Sequence, residues 1–312
     1  MDAAPFFSFP DDPAPAACAF WLQAEDGIRL RAAHWPAAAA AGTVLLFNGR
    51  AEYLEKYAET AQDLNRAGFD VISLDWRGQG LSDRLLPDPR PGQIRDFADY
   101  QRDVVELLVA AQDLALPRPW HLLAHSMGGA IGLAALATGL PVQSAVFSAP
   151  MWGINLGRVP EPLALGLARL ASRLGHGGRP APASGGLHSF VLKDGFLDNP
   201  LTSDGRRWGR LVSEIACWPE IALAGASYDW LGAALRECRR LEGLPAPALP
   251  VLIAVGPQDG VVSAAAVRRR AAAWPGAELL ELPGCRHEAL IEREALRETF
   301  LAAAIAHFRA AG

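Results

Sequence analysis

Short apolar runs that alternate with amphipathic helical stretches limit the folds open to this chain more than any other feature. Most of the runs are apolar on both faces, and helical periodicity follows several of them. Strands of this kind, separated by helices, are typical of a parallel sheet covered on both sides. We therefore predict an α/β fold with a mostly parallel sheet. The predicted strands of this kind are Thr43–Phe47, Asp70–Leu74, Trp120–Ala124, Ser144–Phe147, Val251–Val255 and Glu278–Leu282.

A hairpin precedes the parallel part of the predicted sheet. Two strand-like stretches, Phe20–Ala24 and Ile28–Trp35, flank a turn of the Asp-Gly type. An antiparallel pair at this point suits the edge of a mixed sheet. The helices that cover the sheet are predicted at Tyr53–Ala67, Phe97–Leu116, Met127–Thr138, Ser263–Trp274 and Arg293–Ala310.

The alternation stops between residues 151 and 244. Three helix-like segments follow one another there, at Pro162–Leu174, Arg206–Cys217 and Tyr228–Leu241, with no clear buried strand between them. A chain of 312 residues is long enough for one large domain with an insertion. We predict an α/β core at 1–150 and 245–312, and a helical cap at 151–244.

The segment Ala124-His125-Ser126-Met127-Gly128-Gly129 follows a predicted strand and opens a helix. A serine hydroxyl is a poor nucleophile unless it is held rigidly towards a base, and a tight strand-to-helix turn holds it so. The turn demands small residues two positions before and two positions after the serine. Gly128 meets that demand, and Ala124 replaces the usual glycine with the next smallest residue. We predict that Ser126 is a nucleophile.

A serine of this kind needs an acid and a histidine, which in this type of fold follow it in that order along the chain. Asp259 comes after the strand Val251–Val255, and His287 comes after the strand Glu278–Leu282. Both lie at the carboxyl edge of the sheet, where α/β active sites form. We predict that Asp259 orients His287 and that His287 is the general base.

Attack on an acyl group also needs donors for the developing oxyanion. The first predicted donor is the backbone N–H of Met127, at the start of a helix. The second is the backbone N–H of Arg50, in the loop Asn48-Gly49-Arg50 that follows a strand. This set of groups needs no metal or organic cofactor, and we predict none.

Two other features carry no chemistry in our interpretation. The stretch from Asp75 to Ser82 contains Gly-x-Gly but lacks the third glycine of a dinucleotide site, so we interpret it as a tight structural loop. The four cysteines are widely spaced and contain no Cys-x-x-Cys pair, so we predict reduced thiols. Cys285 is near His287, but Ser126 is the better candidate nucleophile.

Several blocks together resemble the bacterial lysophospholipase and monoacylglycerol lipase branch of the α/β hydrolases, which is similar to serine aminopeptidases. The resemblance runs from about residue 20 to the end of the chain, although family members often have His-Gly in place of Asn48-Gly49. The matching residues are Asn48-Gly49-Arg50 with Glu52 and Tyr57, Asp75–Ser82, Ala124–Gly129, Ser148–Met151, Asn199–Ser203, Asp259 and His287.

The resemblance implies an α/β-hydrolase fold with a cap over the serine, and an ester of a single acyl chain as the substrate. A lysophospholipid or a monoacylglycerol is the leading expectation. An aminopeptidase stays open, because Glu214, Glu220 and Asp229 in the predicted cap could hold an amine. A small-ester esterase and a non-catalytic binding protein on the same fold stay open as well.

The net charge argues against one class of binding partner. A net charge of −5 and a pI near 5.8 argue against binding to nucleic acid. We find neither a secretory signal nor an apolar run long enough to span a membrane, and so we expect a cytoplasmic protein with at most a peripheral membrane contact. The sequence makes no prediction of the oligomeric state.

Overall fold

A mixed β-sheet forms the centre of the computed structural model, which describes residues 1–10, 12, 17–182, 184–193 and 195–312. The strands in these residues are β1 (Cys18–Gln23), β2 (Arg29–Trp35), β3 (Gly42–Phe47), β4 (Phe69–Leu74), β5 (Trp120–His125), β6 (Ser144–Ser148), β7 (Val251–Val255) and β8 (Ala277–Glu281).

The strand order is β1-β2-β4-β3-β5-β6-β7-β8. β1 pairs antiparallel with β2, and β2 pairs antiparallel with β4, whereas every later pair is parallel. The predicted α/β fold with a hairpin at the edge is confirmed. Because the parallel strands share one direction, the loops after β3, β5 and β7 emerge at the same edge.

Helices cover both faces of the sheet. Val44 and Leu46 of β3 pack into one apolar cluster, whereas Leu45 and Phe47 pack into the other, because successive side chains of a strand point to opposite faces. The helices are α1 (Ala58–Arg66), α2 (Asp99–Asp113), α3 (Met127–Ala137), α4 (Glu161–Arg173), α5 (Phe190–Lys193), α6 (Gly205–Cys217), α7 (Tyr228–Glu242), α8 (Ala264–Ala272) and α9 (Glu294–Ala310).

The first predicted helix differs in its beginning. Instead of a single α-helix over Tyr53–Ala67, a 3-10 turn at Leu54–Tyr57 leads into α1. The Asp75 carboxylate accepts a hydrogen bond from the Leu54 N–H at 3.0 Å and thereby holds the start of the turn. A side chain distant in sequence therefore overrides the local helical periodicity.

The segment between β6 and β7 contains α4 to α7 and, in its described residues, no strand. Its last helix, α7, packs against α3, and its residues Trp230, Ala234 and Leu241 join the apolar cluster of the sheet. α4 packs on α7 in turn. In the described residues, no helix is both long and apolar enough to cross a bilayer.

Candidate active site

Ser126 lies on a strained turn between β5 and α3. Its φ of 50° is in the left-handed region, which a residue other than glycine seldom adopts. Hydrogen bonds hold the turn, since the Ser126 N–H donates to the Ser148 carbonyl and its own carbonyl accepts from Gly129 and Met151. A Cβ on Gly128 would lie 2.1 Å from the Phe47 carbonyl oxygen, so only glycine fits there.

The three predicted side chains lie in one hydrogen-bonded row. His287 Nε2 is 2.9 Å from Ser126 Oγ, and His287 Nδ1 is 2.7 Å from Asp259 Oδ2. The other oxygen of Asp259 accepts from the N–H groups of Val261 and Val262, at 2.7 and 2.9 Å. Burial acts to raise the pKa of Asp259, but His287 and these donors outweigh it and keep the pKa below its usual value. The acid is therefore held as a carboxylate.

A second segment holds the His287 loop in position. The N–H groups of His287 and Glu288 donate to the carbonyls of Pro200 and Leu201, at 3.3 and 2.9 Å. The Arg286 side chain donates to the Asn199 carbonyl at 2.6 Å. The block Asn199–Ser203 thus lies against the loop after β8, which accounts structurally for a motif whose position in the sequence gives no hint of it.

The loop after β3 reaches the other side of Ser126. The Glu52 carboxylate accepts a short hydrogen bond from the Gly49 N–H, and the Gln79 side chain donates to the Gly49 carbonyl at 2.8 Å. In the described part of the chain, neither the Arg50 N–H nor the Met127 N–H has a protein acceptor. Both predicted donors therefore remain available for a ligand.

The Gly-x-Gly stretch from Asp75 to Ser82 is engaged in internal hydrogen bonds. The Asp75 carboxylate pairs with Arg31 at 2.7 Å and accepts from the Leu81 N–H at 2.8 Å. A Cβ on Gly80, whose φ is 55°, would lie 2.1 Å from that carboxylate. These contacts agree with our interpretation of a structural loop, and through Gln79 the loop also supports Gly49.

A buried group of four charged or titratable side chains lies next to His287. We call it the Lys56 cluster, and it comprises Glu52, Lys56, His125 and Glu288. The Lys56 ammonium is 2.6 Å from Glu52 and 2.7 Å from Glu288, and His125 Nε2 is 3.2 Å from Glu288. The ring of His125 is 4.9 Å from that of His287. The cluster therefore joins the loop after β3 to the loop after β8.

The same cluster has the donor atoms of a metal site. Single ligand atoms of Glu52, His125 and Glu288 lie within 4.8 Å of one another. However, the Lys56 ammonium already contacts both carboxylates, and a divalent cation between them would meet its positive charge. The residues fit an internal ion pair better than a metal.

A cavity of about 730 Å³ opens over the row of three side chains. Ser126 and His287 lie in its wall, as do Arg50 of the loop after β3 and residues of the segment between β6 and β7. The rest of the lining is largely aliphatic and includes Ile154, Leu156, Val191, Ile215 and Leu231. An apolar space of this size with a few polar groups is typical of a site for a small organic ligand.

Among the tryptophans of the predicted cap, Trp230 is the one that the described cavity wall contains. Trp152 belongs to the apolar cluster of the sheet, and Trp208 belongs to a separate apolar cluster that joins the segment to Tyr53 and Ile291. Trp218 stacks on Phe7, with ring centroids 5.2 Å apart. Most of these large rings are therefore packed among other apolar side chains and do not line the described part of the cavity.

The acids proposed for an aminopeptidase lie elsewhere. Glu214 accepts from Tyr53 at 2.8 Å and pairs with Arg210, whereas Asp229 accepts from Gln93. None of Glu214, Glu220 and Asp229 is among the described residues of the cavity wall. Cys285 is also set apart, because burial raises the pKa of its thiol to about 12.

Sequence reasoning missed the role of Lys56. One signal was available, because Lys56 and Lys193 are the only lysines among the 29 basic residues of the chain. A rare lysine in an arginine-rich sequence suggests a site where a compact ammonium is needed. Its partner Glu288 is 232 positions away, and no local pattern connects the two.

Comparison with known proteins agrees with this arrangement. A family model described as serine aminopeptidase S33 matches residues 38–294. The chain is 34% identical to lysophospholipase L2 of Escherichia coli K12 over 296 residues, which cover 90% of this chain and 83% of that protein. It is 28% identical to the probable lysophospholipase L2 of Haemophilus influenzae, over 90% of this chain and 88% of the relative.

Solved structures share the fold. A variant of the monoglyceride lipase of Saccharomyces cerevisiae, bound to a substrate analogue, superposes with a TM-score of 0.74 at 18% identity and covers 99% of this chain and 100% of its own. The monoacylglycerol lipase of Paleococcus ferrophilus has a TM-score of 0.69 at 20% identity and covers 91% of this chain and 99% of its own. The chain is an α/β hydrolase and belongs to the serine aminopeptidase S33 family.

Proposed function

We propose that the protein hydrolyses carboxylic esters in two steps, with Ser126 as nucleophile, His287 as general base and Asp259 as the group that orients the imidazole. The observation that carries the proposal is the 2.9 Å contact between Ser126 Oγ and His287 Nε2 at the floor of a cavity. Such a contact lets the imidazole take the hydroxyl proton as the oxygen attacks the carbonyl carbon.

The tetrahedral intermediate carries a negative charge on the former carbonyl oxygen. We assign its stabilisation to the backbone N–H groups of Met127 and Arg50. When the intermediate collapses, His287 gives its proton to the leaving alcohol and an acyl-enzyme remains. Water, activated by the same base, then attacks the acyl-enzyme, and the carboxylic acid product is released. Every proton in this sequence is carried by His287.

The substrate class that we propose is a lipid ester with one acyl chain, as in a lysophospholipid or a monoacylglycerol. The names of the relatives point to this class, and the aliphatic wall of the cavity suits it. Each methylene that such a wall removes from water contributes about 0.8 kcal/mol. Longer chains should therefore be preferred until the cavity is full.

We also propose that residues 151–244 act as a cap that meets the lipid surface. Leu163, Leu167 and Leu170 of α4, and Leu174 directly after it, expose 46–64% of their full surface. Leu167 also lines the cavity, so the exposed stripe is continuous with its wall. An apolar stripe of this kind is typical of a helix that lies in a membrane interface.

We also propose that the protein is cytoplasmic, and its four free cysteines fit this location.

The test is the Ser126→Ala variant, assayed with p-nitrophenyl esters of rising chain length and with proline anilide. We expect kcat for the esters to fall by a factor on the order of 10⁶, because the three side chains act as a unit. A fluorophosphonate probe should label the wild type but not the variant. The control is Ser73→Ala, which removes a buried hydroxyl of β4 that donates to the Leu46 carbonyl. Retained ester hydrolysis in Ser126→Ala would refute the proposal.

A further inference from the structure

The side chain of Arg50 is unusual among the charged groups of the cavity. Its guanidinium lies over the ring of Trp230, with Cζ 5.0 Å from the centroid, and donates one hydrogen bond to the Ala224 carbonyl at 2.7 Å. Its Nε is buried and has no acceptor among the described residues. A buried donor without an acceptor is costly.

The guanidinium also lacks a counter-ion. No described carboxylate lies within ion-pair distance of it. Lys56, the lysine of the same wall, contacts two carboxylates. Burial lowers the pKa of Arg50 to about 10, which still leaves it charged at neutral pH. The cavity therefore holds one positive charge that no described residue compensates.

The position of this charge relative to the chemistry is informative. The backbone N–H of Arg50 is assigned to the oxyanion, so its Cα lies next to the reacting carbonyl. The guanidinium carbon is about five covalent bonds beyond that Cα. In a lysophospholipid, the phosphorus is about six covalent bonds from the acyl carbonyl carbon. The arginine side chain and the glycerol phosphate part of the lipid are therefore similar in length, so a phosphate can contact the guanidinium while the ester lies at Ser126.

We propose that the Arg50 guanidinium binds the phosphate of a monoacyl lipid, so that the enzyme selects phosphate-bearing esters over monoacylglycerols of the same chain length. This inference rests on the proposed ester hydrolysis and makes its substrate more specific. A guanidinium is suited to the role, because its planar set of donors matches two phosphate oxygens at once. The phosphate would supply both the missing counter-ion and the missing acceptor.

Arg84 shows what a purely structural buried arginine looks like in the same protein. Burial lowers its pKa to about 10 as well. However, its guanidinium donates to the carbonyls of Gly78, Gly80, Glu220 and Ala222, at 2.8–3.2 Å, and it is absent from the described cavity wall. Arg84 ties two loops together, whereas Arg50 makes a single such bond and is a residue of the cavity wall.

The test compares kcat/KM for 1-hexanoylglycerol 3-phosphate and 1-hexanoylglycerol, two esters short enough to be studied below micelle formation. We expect the wild type to favour the phosphate ester. In Arg50→Met, the ratio of the two values should fall by about tenfold to a hundredfold, the range of a charged hydrogen-bonded contact. Arg50→Lys should recover part of it, since a lysine restores the charge without the fork. Arg84→Met should leave the ratio unchanged.

A binding measurement complements the kinetics and needs no active variant. In the wild type, hexyl phosphate should compete with p-nitrophenyl butyrate at least tenfold more strongly than hexanol, and inorganic phosphate should compete weakly, which separates a lipid phosphate from a free one. The proposal is overturned if kcat/KM of the wild type is about the same for 1-hexanoylglycerol 3-phosphate and for 1-hexanoylglycerol. It is also overturned if the ratio of these two values in Arg50→Met is within twofold of the wild-type ratio. If the wild type hydrolyses none of the esters, the proposed function itself is refuted.

Discussion

Replacement of Lys56 by methionine removes the ammonium that lies between two buried carboxylates of the cluster. The ammonium contacts Glu52 at 2.6 Å and Glu288 at 2.7 Å, and neither carboxylate side chain is more than 5% exposed. Breaking a buried ion pair by removing one partner typically costs about 3–5 kcal/mol, because the remaining charge is left without compensation. We expect the free energy of unfolding to fall by about that amount at pH ~8.

The loss should depend on pH in a defined direction. In the wild type, burial acts to raise the pKa of Glu288, but Lys56 and His125 lower it well below 4.5. Its contribution to stability is therefore present above that value and lost as the pH falls. Without Lys56, burial is less opposed and the pKa of Glu288 rises, so protonation relieves the unpaired charge at a higher pH. The difference between variant and wild type should shrink as the pH falls from ~8 to ~5.

Urea unfolding at these two pH values measures both effects. Arg66→Met is the control, because Arg66 is 72% exposed and its pair with Asp63 should contribute less than about 1 kcal/mol. A loss below about 1 kcal/mol for Lys56→Met at the higher pH, or a loss that does not change with pH, would contradict the reasoning.

Two further perturbations follow from the geometry. Gly128→Ala places a methyl group 2.1 Å from the Phe47 carbonyl oxygen. We therefore expect kcat/KM to fall by at least about tenfold and the midpoint of thermal unfolding to decrease. Wild-type values for both would show that the turn is not as tight as described. Leu163→Ser with Leu170→Ser should reduce hydrolysis of a vesicle-bound lysophospholipid by about tenfold but spare monomeric p-nitrophenyl butyrate. Val105→Ser, at an exposed valine of α2, is the control for that pair, and an equal loss on both substrates would exclude a role at the membrane surface.

Much of the fold is encoded locally. Period-two and period-3.6 patterns predict the strands and most helices, because burial of one face is a local demand on residue type. The roles proposed for Ser126, Asp259 and His287 follow from the same patterns, since each residue lies in the turn or loop that follows a strand. Parallel strands bring such residues to one edge of the sheet. The structure brings the three side chains together there.

Other features depend on residues that are far apart in the chain. Glu288, one of the two partners of Lys56, lies on a separate loop 232 positions away, and nothing in the sequence around it distinguishes it from a solvated acid. The start of the first helix is likewise set by Asp75, which is outside the window of any periodicity. Long-range contacts of this kind are invisible to local patterns.

The sequence alone determined the α/β class, the edge of the sheet at which the proposed site lies and the residues proposed to form it, because these depend on periodicity and on the order of elements along the chain. Only the tertiary structure decided which charges are compensated. It paired Lys56 with two carboxylates, whereas no described carboxylate lies within ion-pair distance of the Arg50 guanidinium. The physical reason is that desolvation and ion pairing depend on distances across the fold rather than along the chain.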